Sequence, residues 1–163
     1  MFEMWNPSPI GARVGDCAVR AVSKALETDW ETAYTLLCLK GFELYDMPNS
    51  NSVIDALLSE YGFERSVVPN SCPHCYTVAD FAEDHPSGSY VLGTGNHVVC
   101  VTDGTINDSW DSSNEVPIYY WSKKERGKED GLSLHTDDLR SKLLSAGLRN
   151  TTHADPRSQR NRG

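Results

Sequence analysis

The sequence predicts an α+β fold, on three observations. Capped segments with helical apolar spacing fill most of residues 16–85. Turn-bounded segments rich in β-branched and aromatic residues follow from Gly88, and no internal repeat is present. At 163 residues the chain can bury a core as one domain without disulfide staples.

Residues 1–15 hold Pro7, Pro9, Gly11 and Gly15, the composition of an extended or turning arm. The first helix is expected from Asp16 or Cys17 to about Leu26, with Asp16 as its N-cap. Ala18, Val19, Ala21, Val22, Ala25 and Leu26 form its apolar face, with Arg20, Ser23 and Lys24 pointing outward. A second helix opens on the capping box Thr28-Asp29-Trp30-Glu31. It repeats Trp30, Ala33, Tyr34, Leu37 and Cys38, with Gly41 as its left-handed cap. Tyr45 to Ser52 is a loop. Ser52-Val53-Ile54-Asp55 then begins a helix whose stripe is Ile54, Leu57, Leu58 and Tyr61, closed by Gly62.

Phe63 to Val68 reads as a short strand and Asn70 to Cys75 as a loop. Thr77-Val78-Ala79-Asp80 caps a short helix that His85-Pro86 ends. Ser89–Leu92 and His97–Thr102 are strands, and Asp103-Gly104 is a hairpin turn returning through Thr105-Ile106-Asn107-Asp108. Val116 to Trp121 supplies a last aromatic strand. Residues 1–122 are therefore expected to form the domain. Residues 123–163 are expected to be a charged linker, a short helix on Leu139, Leu143 and Leu144, and a disordered tail.

Composition narrows the function. The 15 basic residues against 23 acidic ones give a net charge of −8, spread along the chain, which argues against a nucleic-acid partner. No apolar run approaches the roughly eighteen residues of a membrane span. The opening Met-Phe-Glu-Met-Trp-Asn-Pro lacks the regions of a signal peptide. Five cysteines, an odd number, fit reduced thiols and a cytoplasmic setting.

The candidate chemistry centres on Cys17. A thiol at a helix N-terminus feels the positive end of the macrodipole, which favours thiolate, and a nearby imidazolium would favour it further. A buried structural cysteine is the competing reading for that residue alone. The hairpin strengthens the reactive one. If Asp103-Gly104 is a two-residue turn, Thr102 pairs with Thr105, Val99 lies opposite Asp108 and His97 opposite Trp110. Because strand side chains alternate, His97, Val99, Asp108 and Trp110 then share a face, with Asn107 on the other. His97 and Asp108 become diagonal neighbours at a backbone separation of about 7–8 Å. Asp108 can orient the imidazole while its other nitrogen meets Cys17, with Trp110 shielding the bond.

These segments carry a resemblance. Gly15-Asp16-Cys17 opening a helix, Gly95-Asn96-His97-Val98-Val99 opening a strand, and Asp108-Ser109-Trp110 resemble the papain-like superfamily of cysteine peptidases and related acyl-transfer enzymes. Asn6-Pro7 ahead of the cysteine and the late strand Ile118-Tyr119-Tyr120-Trp121 resemble small phage and bacterial members. The resemblance spans residues 5–122. It implies a helical part bearing the nucleophile on a helix N-terminus, packed against a small antiparallel sheet. It also implies Cys17, His97 and Asp108 as a triad that cleaves an amide or isopeptide bond through a thioester, without a cofactor. Asp16, Asn96 and Trp110 would line the site, and a peptide, protein or small acyl compound would be the substrate. Papain-type enzymes carry a glutamine six residues before the nucleophile; here Gly11 stands there, so Asn6 is the oxyanion candidate, with Arg13 another nearby donor. A binding or inhibitory protein on the same fold, or a small-molecule acyltransferase, are the alternatives.

Cys72-Pro73-His74-Cys75 lacks the second ligand pair a structural zinc site needs, so a zinc-stabilised module or a redox pair ranks below an ordinary loop. No metal is therefore assigned. Cys38 and Cys100 are expected in the core.

Overall fold

The computed structural model describes residues 1–12, 14–69 and 75–123 of the chain. They fall within one compact unit, Met1–Arg126. The helix and tail expected beyond Lys123 lie outside the described residues, as do Arg13 and Cys72.

α1 (Cys17–Ala25) is short and enclosed. It packs on α2 (Trp30–Leu44) and on three strands, β3 (Ser89–Gly93), β4 (Val98–Thr102) and β5 (Thr105–Asp108). Neighbours on several sides bury Arg20 and Ser23 along with Ala18, Val19, Ala21, Val22 and Ala25, so the expected outward face for Arg20 and Ser23 is wrong. A single-stripe rule fails for a helix surrounded by partners. Nor does Asp16 cap the helix with its side chain; its carboxylate is drawn elsewhere, as described below.

In α2 the cap is Asp29, whose Oδ1 accepts from the Thr32 N–H at 2.7 Å. The helix runs through Gly41 and ends at Tyr45, which takes the left-handed conformation at φ 55°. Gly41 serves packing instead: a Cβ there would lie 2.7 Å from the Asp46 carbonyl oxygen. Ala33, Leu36, Leu37 and Gly41 face inward, while Tyr34 is exposed and Cys38 only half-buried. α3 (Asn51–Glu60) is capped by Ser50, earlier than the expected box, because Ser50 Oγ accepts from the Val53 N–H at 3.4 Å. α4 (Val78–Asp84) has the expected capping box, with Asp80 N–H donating to Thr77 Oγ1 and Thr77 N–H to Asp80 Oδ2.

The described residues form a six-stranded mixed sheet in the order β1-β5-β4-β3-β6-β2, with β1 at Phe2–Met4, β2 at Phe63–Val67 and β6 at Tyr119–Lys123. Two expectations change. Part of the supposed arm is β1, which pairs parallel with β5 from Phe2↔Ile106 to Met4↔Asp108. The sheet is therefore not wholly antiparallel, although its other pairings are. A three-residue edge strand bears too little periodicity to be read from sequence.

The β4–β5 hairpin has the expected register: Thr102↔Thr105, Val101↔Ile106 and Cys100↔Asn107. Its turn residues Asp103 and Gly104 both hold positive φ, 48° and 72°, the requirement of the tight hairpin turn. Val78, Phe81 and Ala82 of α4 pack with Leu92, Val99, Val101 and Ile106 of the sheet. Trp121 is fully buried and its indole N–H donates to Asp55 at 2.6 Å. Among the described residues no helix is long and apolar enough to cross a membrane.

Candidate active site

Cys17 is the first residue of α1, beyond the bend at Gly15. The first N–H groups of a helix have no acceptor within it, and the local dipole favours an anion. Here the Ala18 N–H turns to the Cys17 sulfur, and the Val98 N–H at the head of β4 donates to it as well.

His97 directly precedes β4. The Thr94 N–H donates to its carbonyl at 2.9 Å, fixing the turn that delivers the ring. Continuing the hairpin register one step brings Val99 beside Asp108, at the end of β5. The His97 Nε2 lies 2.6 Å from Asp108 Oδ2. Nδ1 is then the nitrogen available to Cys17, with which the His97 side chain also hydrogen-bonds. The structure thus brings Cys17, His97 and Asp108 together in that order, with the imidazole hydrogen-bonded to Asp108 and interacting with the thiol.

Electrostatics follow from that chain. Burial pushes the Cys17 thiol up, but the hydrogen bond with His97, the Val98 and Ala18 N–H groups and the imidazole charge outweigh it, and its pKa is lowered. Burial works against the charge on His97, yet its bonds to Asp108 and Cys17 prevail and raise its pKa to about 9. Asp108 is also buried, but donors surround it and hold its pKa below the ordinary carboxylate value. These directions describe a thiolate–imidazolium pair oriented by a carboxylate.

Asp108 has more partners than the sequence reading assigned. Ser112 Oγ donates to Oδ2 at 2.8 Å and the Ser109 N–H to Oδ1 at 2.7 Å. Arg20 Nη2 reaches Oδ1 at 3.4 Å. Through Nη1, Arg20 also pairs with Asp16, and the Trp30 indole N–H donates to Asp16 Oδ2 at 2.9 Å. A buried network therefore runs from Trp30 through Asp16 and Arg20 to Asp108, then to His97 and Cys17. Arg20 and Ser112 were missed. Asp16 and Arg20 stand four apart on adjoining helical turns, a spacing that pairs opposite charges and was available in the sequence. Ser112 offered only its place in a polar loop.

The remaining candidates are placed less centrally. Asn6 is engaged within its own loop, with Oδ1 accepting from the Ser8 N–H at 3.2 Å and Nδ2 donating to the Ala12 carbonyl at 3.4 Å. Asn96 is exposed in the turn before His97. The Trp110 ring lies 5.1 Å from the His97 ring, tilted across it, and is 44% exposed. Asp16 is a link in the buried network and not a side-chain cap. Cys100 is buried as expected, and Cys75, the described half of the C-x-x-C, is a free, exposed thiol. Among the described residues no cluster of three or more His, Cys, Asp or Glu suited to a metal ion forms.

Comparisons with family models, with curated proteins and with solved structures found no match to this chain. The residues themselves carry the functional reading.

Proposed function

We propose that the protein is a thiol-dependent acyl-transfer enzyme of papain-like design, acting as a hydrolase on an amide or isopeptide bond. The observation that carries this reading is the hydrogen-bonded series Cys17, His97, Asp108, in which the thiol is made more acidic while the imidazole is made more basic. Such opposed shifts in two touching groups mark a nucleophile with its proton partner.

The Cys17 thiolate attacks the substrate carbonyl carbon, and the carbonyl electron pair moves to oxygen. The Cys17 backbone N–H, at the open first turn of α1, is the main-chain donor for that oxyanion. Collapse breaks the C–N bond, and the amine leaves with the proton of the His97 imidazolium. Water then attacks the thioester as His97 takes its proton. The C–S bond breaks, releasing a carboxylic acid and restoring the charged pair. Asp108 keeps Nε2 of His97 occupied, so that Nδ1 faces the sulfur throughout.

A reducing, cytoplasmic setting suits this chemistry, since Cys17, Cys38, Cys75 and Cys100 are all unpaired. One observation favours a second reading, a binding or inhibitory protein: the Asn6 amide is occupied in its loop, leaving no assigned side-chain oxyanion donor. Iodoacetamide labelling at neutral pH, followed by peptide mapping, separates the two. Selective labelling of Cys17 that disappears in Cys17→Ala supports the enzyme; labelling no faster than that of exposed Cys75 supports the binding protein.

A further inference from the structure

A cavity of about 320 Å³ opens between α4, the end of β2 and Tyr120 of β6, and its lining includes none of Cys17, His97 and Asp108. The rings of Tyr76, Phe81, His85 and Tyr120 line it together with the Asp84 carboxylate, and the rest of the wall, at the end of β2, is aliphatic. The rings brace one another. Phe81 and His85 stack at 3.9 Å, and Tyr120 is tilted against both, at 5.0 and 6.1 Å. Tyr76 meets Phe81 edge-on at 6.3 Å, and its hydroxyl donates to Asp84 Oδ2 at 2.7 Å. We propose that this cavity binds an alkylated ammonium group, a function separate from the chemistry of Cys17.

Three features support that occupant. Aromatic faces carry negative charge density and attract a cation held within about 6 Å of the ring centre. Here several rings converge on one cavity, at the small end of the size range of ligand pockets, which suits a compact head group. The second feature is charge. Asp84 is the lining's single carboxylate and no Lys or Arg joins it, while α4 also carries Asp80 and Glu83 and no basic residue. A cation is therefore favoured and an anion repelled. The third is hydration. A bare ammonium would give up several strong bonds to water for one carboxylate, whereas an alkylated one has fewer to lose and buries its methyl groups against the rings.

The test compares choline with 3,3-dimethyl-1-butanol, which has the same shape and no charge, by NMR titration of the full chain. Choline is expected to shift the Tyr76 and Tyr120 ring resonances and to bind at least about tenfold more tightly than the alcohol. Tyr120→Leu should weaken choline at least about tenfold. Asp84→Asn, an exposed change that spares the core, should weaken it about threefold. Cys17→Ala should bind choline as the wild type does, so failure of the thiol chemistry leaves this site standing. An acetylated trimethyllysine amide identifies the source: tighter binding than choline supports a modified side chain, weaker binding a free small molecule. No shift at millimolar choline, equal affinity for the alcohol, or affinity unchanged in both Tyr120→Leu and Asp84→Asn overturns the proposal.

Discussion

Cys17 and Cys100 lie on neighbouring elements, α1 and β4, yet the protein treats their thiols in opposite ways. Burial pushes both toward the neutral form. For Cys100, midway along β4, burial wins: Thr102, Ser89 and the charge of Lys24 only soften it, and the pKa rises to about 11. For Cys17 an imidazolium and two main-chain N–H groups reverse the direction. The difference teaches that the direction of a buried thiol's shift is set here by donors placed at a helix start and a strand start, not by exposure as such. A hydroxyl neighbour does not suffice; a charged donor anchored by its own carboxylate does.

The most drastic way to break the contrast is Cys17→Ala. It should leave the fold intact, abolish labelling at this site and lower any amide hydrolysis by a factor on the order of 10⁴ or more, measured by peptide mapping and single-turnover assay. Removing the donor comes next. His97→Ala should slow alkylation of Cys17 at pH 7 by about tenfold or more, since each unit of pKa recovered costs a factor of ten in thiolate. Cys100 should remain as inert as before.

Arg20→Met sharpens the point by acting at a distance. It leaves the Asp16 and Asp108 carboxylates without their shared cation, and loss of a buried partner costs about 3–5 kcal/mol. A fall in the urea midpoint at unchanged slope would register that cost. The Asp108→Asn variant isolates the orienting carboxylate. Its loss removes the strongest influence holding His97 at about 9, so the pKa read from the imidazole NMR titration should fall, and by more than in Cys17→Ala. In the wild type, hydrolysis should decline as pH rises through about 9, because the leaving amine then finds no proton on His97. The smallest effect belongs to Cys100→Ala: about 1 kcal/mol or less of stability and no change in labelling of Cys17.

Much of this comparison was legible in the sequence. A two-residue turn at Asp103-Gly104 determines register, so the meeting of His97 with Asp108 and the turning of Asn107 to the other face followed from counting. The Thr77–Asp80 capping box was equally direct. What escaped was set by tertiary neighbours. Arg20 looked solvent-facing because a helical wheel does not show that α2 and the sheet enclose α1. Asp16 looked like a cap because its preference for that place is local, whereas Arg20 and Trp30 compete for it from outside the cap. Gly41 looked like a stop but is a close approach to the Asp46 carbonyl. The edge strand Phe2–Met4 takes its order from β5 and had no pattern of its own.

The most direct test of the central claim is the pH dependence of Cys17 alkylation, followed by mass spectrometry in wild type and in His97→Ala, with a free cysteine peptide alongside. The wild-type midpoint should lie below that of the peptide, and His97→Ala should move it to or above the peptide value. A wild-type midpoint at or above the free thiol, unmoved by loss of His97, would contradict the thiolate–imidazolium pair and the chemistry built on it.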